Sequence, residues 1–132
     1  MATLHAGRRA AGAALHPLAQ RLAKDTQGEV LFDAYSRGRY ATDASFYQIL
    51  PLGVFVPRTR EDVVTALALA REAGVPLTPR GGGTSQCGQT INRGLIVDTS
   101  KHLNTLVSLD VEKRTCVVEP GLVLDDLNRQ LK

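Results

Sequence analysis

Apolar residues recur along this chain in alternating helical and extended rhythms. Leu15, Leu18, Ala19 and Leu22 are spaced as on one face of a helix, with Pro17 tolerable in its first turn and Gly28 placed to close it. Val30-Leu31-Phe32 is too short to decide between extension and helix. Asp33 to Tyr47 is polar and aromatic without a clean period. It reads as a surface loop that packs its tyrosines locally or lines a ligand cleft. The β-favouring run from Ile49 to Val56 is broken by Pro51 and Gly53, which leaves Val54-Phe55-Val56 as the strand and Pro57 as its end.

Thr59 then sits where an N-cap belongs, with Asp62 three residues on in the place of the usual Glu or Gln of a capping box. Val63, Val64, Leu67, Ala70 and Ala73 predict one helix face, and Gly74 its C-terminal stop. Val75 to Thr78 is the next strand, and a strand–helix–strand unit normally joins a parallel pair. Leu95 to Asp98 reads as a third buried strand. Leu103 to Leu109 and Thr115 to Val118 flank the charged turn Asp110 to Arg114, and Glu119-Pro120-Gly121 closes the second of them. Val123, Leu124, Leu127 and Leu131 begin an amphipathic helix that meets Lys132 without a stop signal, as in a chain cut there. The expected architecture is α+β: a small parallel sheet from Val54–Val56, Val75–Thr78 and Leu95–Asp98 covered by helices, then the start of an antiparallel second subdomain. Residues 1–14 form a disordered basic tail, 15–48 an N-terminal helix and connecting loop, and 49–132 a partial ligand-binding domain.

Composition narrows the function classes. A chain of 132 residues with 43% hydrophobic content buries a core as one domain. No apolar run approaches a membrane span. The net charge of +3 points weakly to nucleic acid, but the excess sits at one end. Residues 1–24 hold Arg8, Arg9, Arg21 and Lys24 and no acid, whereas the remainder sets 12 basic against 13 acidic residues. Without a basic stripe, nucleic acid is not an expected partner. Cys87 and Cys116 have neither metal-ligand spacing nor a disulfide framework and read as free thiols in a reducing compartment, with Cys87 a small buried residue. The cytoplasm fits, as does a mitochondrion if the acid-free, Arg-rich start is a presequence. His5, His16 and His102 lie in polar surroundings and read as exposed residues. No catalytic residue and no metal ligand emerges.

The chemistry concentrates in Leu77 to Gln89, where an apolar run breaks at Pro79-Arg80 into Gly81-Gly82-Gly83, followed by Thr84, Ser85 and Gly88. Bare backbone lets a ligand touch the main chain, and successive N–H groups can converge on an anion. The dinucleotide fingerprint G-x-G-x-x-G fails because Gln86 stands in its last position and no helix follows. The triphosphate loop G-x-x-x-x-G-K-S/T fails because Gln89 replaces its lysine. What remains is a diphosphate cradle between strands, built from N–H groups and hydroxyls.

Arg80-Gly-Gly-Gly-Thr-Ser85, Gly88-Gln89 and Glu119-Pro-Gly121, with Tyr40-Ala-Thr-Asp-Ala-Ser45, Val54-Phe-Val-Pro57 and the Thr59-to-Gly74 helix, resemble the vanillyl-alcohol oxidase / p-cresol methylhydroxylase flavoprotein family. The branch is that of FAD-linked 2-hydroxy-acid dehydrogenases, such as D-lactate dehydrogenase, the glycolate oxidase flavin subunit and D-2-hydroxyglutarate dehydrogenase. The resemblance covers about residues 32 to 132. It implies a PCMH-type FAD-binding domain in which Pro79 to Ser85, with Gly88 and Gln89, wrap the pyrophosphate of FAD. It places Val56 and Pro57 near the adenosine half, and Pro120 and Gly121 also beside the cofactor. Arg80 either offsets phosphate charge or ends its strand as a surface residue. Covalently flavinylated members carry histidine where Thr84 stands, so the resemblance implies non-covalent FAD. It also implies a small 2-hydroxy-acid substrate for the full-length protein, with residues for substrate chemistry outside this sequence, and leaves room for an electron-acceptor protein or a peripheral membrane contact. The fragment alone is expected to be inactive. The competing reading is a stand-alone nucleotide- or protein-binding module without catalysis.

Overall fold

The computed structural model of the protein describes residues 16–132, so the tail expected over 1–14, with His5, lies outside the described residues. The first helix, α1, spans Pro17–Asp25, with His16 as its N-cap. It ends before Gly28: the Thr26 hydroxyl and N–H both turn back to the Leu22 carbonyl, at 2.6 and 3.1 Å. Val30-Leu31 resolves as extended within β1, Glu29–Leu31. Asp33 caps α2, Ala34–Arg39, by accepting from the Ser36 N–H at 2.9 Å. The stretch expected as irregular loop therefore contains a helix too short to show a period.

Strand β2 is Gly53–Val56, α3 is Arg60–Glu72, β3 is Leu77–Arg80 and β4 is Leu95–Asp98. The sheet order is β1-β2-β4-β3. β4 is parallel to both neighbours and β1 is antiparallel at the edge. The strand–helix–strand unit thus joins two strands that flank β4 rather than pair with each other. β3 begins two residues later than the sequence predicts, which puts Pro79 inside a strand. That strand is an edge, where a residue without an N–H costs no ladder bond.

Two-sided burial explains the unbroken apolar run of the central strands. Alternation sends Leu95, Val97 and Phe55 into one cluster with Leu18 and Leu22 of α1 and Ala66, Leu69 and Ala70 of α3. Val54, Val56 and Ile96 face the other way, with Leu31 and Tyr40 packed against them. The helix face predicted for α3 is corrected: it buries Asp62, Ala66, Leu69 and Ala70, while Val64 and Leu67 are exposed. The capping box is present, and Gly74 follows the helix at φ 64°. Beyond the sheet, β5 (Leu106–Asp110) and β6 (Thr115–Val118) form the expected antiparallel hairpin. The last helix, α4 (Leu124–Gln130), buries none of its residues.

Candidate functional site

Three parallel strands deliver their carboxyl ends to one edge of the sheet: β2 ends at Val56-Pro57, β3 at Arg80-Gly81 and β4 at Asp98-Thr99. This is the edge where open α/β sheets hold ligands. Val56 and Pro57 are buried there, backbone included. Thr99, which the sequence did not single out, donates its N–H to the Arg80 carbonyl at 3.0 Å and ties the ends of β3 and β4 together.

From this edge the glycine loop leaves the sheet. From Gly81 through Gln86 the main-chain N–H groups donate to no acceptor among the described residues. Ser85 organises the far half instead: its hydroxyl bonds the Gln89 side chain and accepts from the N–H groups of Cys87 and Gln89 at 3.4 and 3.3 Å. Gly83 and Gly88 hold φ angles of 68° and 78°, in the left-handed region that favours glycine. A Cβ on Gly83 would also collide with the guanidinium of Arg80. Gly81 and Gly82 differ. Their φ angles lie outside that region, and a Cβ on Gly81 would meet nothing within 4 Å and one on Gly82 only the Thr84 methyl at 3.6 Å. The fold itself does not demand glycine at either position.

Arg80 is half-buried and its side chain reaches the neighbouring segment around Tyr40 to Thr42. Its Nη1 donates to the Thr42 carbonyl at 2.9 Å, and its guanidinium lies 5.2 Å from the centre of the Tyr40 ring. Tyr40 in turn donates to Asp98 at 2.5 Å. Desolvation, then that bond, pushes the Tyr40 hydroxyl up to about 12. The segment around Tyr40 to Tyr47 is thus part of the loop's surroundings, a link that spacing alone could not reveal.

Five of the candidate residues line two concavities, and the rest of the glycine loop, with Val56 and Pro57, lines neither. Pro79, Arg80, Gly81 and Pro120 line a groove of about 640 Å³ with Val63 and Val64 of α3, Thr99, Leu103 and the end of β6. Gly121 instead faces a smaller concavity with Ser100, Asn104 and α4. Its N–H is already taken by the Leu103 carbonyl at 2.8 Å, and a Cβ there would strike the Thr99 carbonyl. Close packing therefore accounts for this glycine.

Two expectations are corrected here. Cys87 is exposed on the loop rather than buried, with its N–H turned toward the Ser85 hydroxyl. His102 is half-buried, with its Nε2 3.0 Å from Glu29. Among the described residues no cluster of His, Cys, Asp and Glu is placed to hold a metal ion.

Residues 51–132 match the family described as FAD binding domain. The chain is 46% identical over 95 residues to the D-2-hydroxyglutarate dehydrogenase of Pantoea ananatis (strain AJ13355), an alignment covering 70% of this chain and 9% of that protein. It is 36% identical over 105 residues to glycolate oxidase subunit GlcD of Bacillus subtilis (strain 168), covering 76% of this chain and 22% of that one. The chain therefore spans about a tenth and about a fifth of these two relatives. Among solved structures, BBE-like 1 of Physcomitrella patens superimposes with a TM-score of 0.72 at 25% identity, over 88% of this chain and 26% of that one. Alkyldihydroxyacetonephosphate synthase shares the fold at 19% identity, with a TM-score of 0.73 over 95% of this chain and 27% or less of the other. Since the match to residues 51–132 covers more than half of the sequence, this protein belongs to the FAD binding domain family.

Proposed function

We propose that the loop from Pro79 to Gln89 holds the diphosphate of FAD, and that the full-length protein is an FAD-linked dehydrogenase or oxidase of a 2-hydroxy acid such as D-lactate, glycolate or D-2-hydroxyglutarate. The observation that carries the reading is the contrast within the glycine triplet. Gly83 is glycine for the fold's sake; Gly81 and Gly82 are bare toward open space, at the head of a run of free N–H groups. Such a surface fits an anion that approaches the main chain itself. Val56 and Pro57 are read as supporting the adenosine half from beneath, and Pro120 and Gly121, packed beside Thr99, as approaching the cofactor from the end of β6.

Bound FAD supplies the two-electron acceptor for the hydroxyl-bearing carbon of the substrate. The residues of this chain bind and orient it. None is proposed to move a proton: His16 accepts from the Leu18 N–H, and His102 faces Glu29. Thr84 stands where covalently flavinylated members of the resembling family carry histidine, so the flavin is held without a covalent bond. Residues 49–132 are read as part of the FAD-binding domain, with 15–48 as the helix and connection leading into it. The free thiols Cys87 and Cys116 support a reducing compartment, the cytoplasm or a mitochondrion. No helix among the described residues is long and apolar enough to cross a membrane.

Titration of the intact protein with FAD, followed by mass spectrometry after denaturation, tests this reading. Saturable uptake with all flavin released on denaturation is expected. Flavin still attached to the polypeptide would overturn the non-covalent assignment, and no uptake would overturn the cofactor reading.

A further inference from the structure

From Gly81 to Gln86 the glycine loop is held through its carbonyls and side chains, and apart from Ser85's own bonds and the Thr99 tie to the Arg80 carbonyl, the holds on the loop come from one neighbouring segment. The Ala44 N–H donates to the Gly83 carbonyl at 3.1 Å, Arg80 reaches the Thr42 carbonyl at 2.9 Å, and the Thr90 hydroxyl donates to Asp43 Oδ2 at 3.0 Å. Tyr47 lies against Gly88, where a Cβ would come within 3.1 Å of its ring. Asp43 Oδ1 is occupied by the Ser45 N–H and hydroxyl at 2.9 and 2.6 Å, so its charge is spent on the segment and on Thr90. Resting on the FAD reading above, we propose that residues 40–47 form a clasp that orders the empty loop, with Asp43 as its positioning residue for the cofactor.

The physical reason lies in the cost of order. Glycine loses more backbone freedom than any other residue when fixed, and a loop with three in a row would meet that cost at binding unless something fixed it beforehand. A hold through the N–H groups would consume the donors the ligand needs. This clasp takes the Gly83 carbonyl, the Arg80 guanidinium and the Thr90 hydroxyl, and leaves the donors from Gly81 to Gln86 free.

Two measurements on the intact protein test the clasp. The first is the rate of tryptic cleavage after Arg80 without FAD, against cleavage after Arg114 as an internal reference. The second is the FAD dissociation constant. Asp43→Ala is expected to speed the first several-fold and weaken the second about tenfold, and Thr90→Val to act the same way. The double variant should be no worse than either single one. Asp43→Asn, whose amide keeps an acceptor for Ser45 and offers a donor to the Thr90 oxygen, should restore both. Unchanged cleavage and affinity in a folded Asp43→Ala or Thr90→Val protein would overturn the clasp, even with a lowered melting temperature. Wild-type protein that takes up no FAD would overturn the cofactor reading, while the cleavage ratio would still decide whether Asp43 orders the loop.

Discussion

Two glycines of one loop are predicted to differ in what the same substitution costs the fold. Gly83→Ala forces a Cβ onto a backbone at φ 68° and against the Arg80 guanidinium. The left-handed conformation alone costs about 1–2 kcal/mol, so chemical denaturation should show at least that loss, together with weakened FAD uptake. Gly81→Ala adds a methyl that meets no protein atom, so the unfolding midpoint should hold while FAD affinity falls. Equal affinity in wild-type and Gly81→Ala protein would remove the main support for the cradle. Tyr40 gives a residue-scale signature of the same region. Its folded value lies above its unfolded one, so its contribution is complete below pH 10 and is lost as pH rises toward 12. Spectrophotometric titration should show one tyrosine ionising near 12, and Tyr40→Phe should abolish that late step.

At the scale of elements, the capping box of α3 is where sequence and structure agree most closely. Asp62 is buried and accepts from the N–H groups of Gln27 and Arg58 at 2.9 Å each and of Thr59 at 3.3 Å. Thr59→Ala removes one cap bond and should cost about 1 kcal/mol. Asp62→Ala strands three donors, one of them on the chain leaving α1, and should cost about 2–3 kcal/mol or more; equal losses in urea denaturation would contradict this account. The cap was legible because its signal is local. The buried face of the same helix was not. Reading bulk as burial selected Val64 and Leu67, but α3 approaches the sheet and α1 through Ala66 and Ala70, whose small side chains permit close contact. Of the larger residues Leu69 joins this core, whereas Leu67 is exposed and Val63 and Val64 line the groove. Likewise α2 was hidden because six residues with one buried member cannot carry a period.

At the scale of the molecule, spacing could rank the glycine loop but could not show the strand order that places Thr99 and the ends of β2 and β3 around it, nor the clasp from residues 40–47. Those links are long-range pairings, fixed by which strands neighbour β4. The same topology sets one carboxylate, Glu29 on edge strand β1, against the cations Lys101 and Arg58 and the ring of His102. Lys101 donates to it at 2.6 and 2.9 Å, His102 Nε2 lies at 3.0 Å and Arg58 at 3.9 Å. Bonds from Lys101 and then His102 hold its carboxyl below the usual value of 4.5. A depressed carboxylate contributes stability above its unfolded value and loses it as pH falls through its folded one. Glu29→Gln should therefore be less stable than wild type from pH 5 upward, by about 1 kcal/mol or less for so open a cluster. The two proteins should converge as pH drops below 4. Raising the salt concentration at neutral pH should narrow the gap, since partly exposed charges are screened. Denaturation midpoints for both proteins between pH 3 and 7 decide the matter: a constant difference across that range would mean that Glu29 holds β1 by packing and hydrogen bonds rather than by its charge.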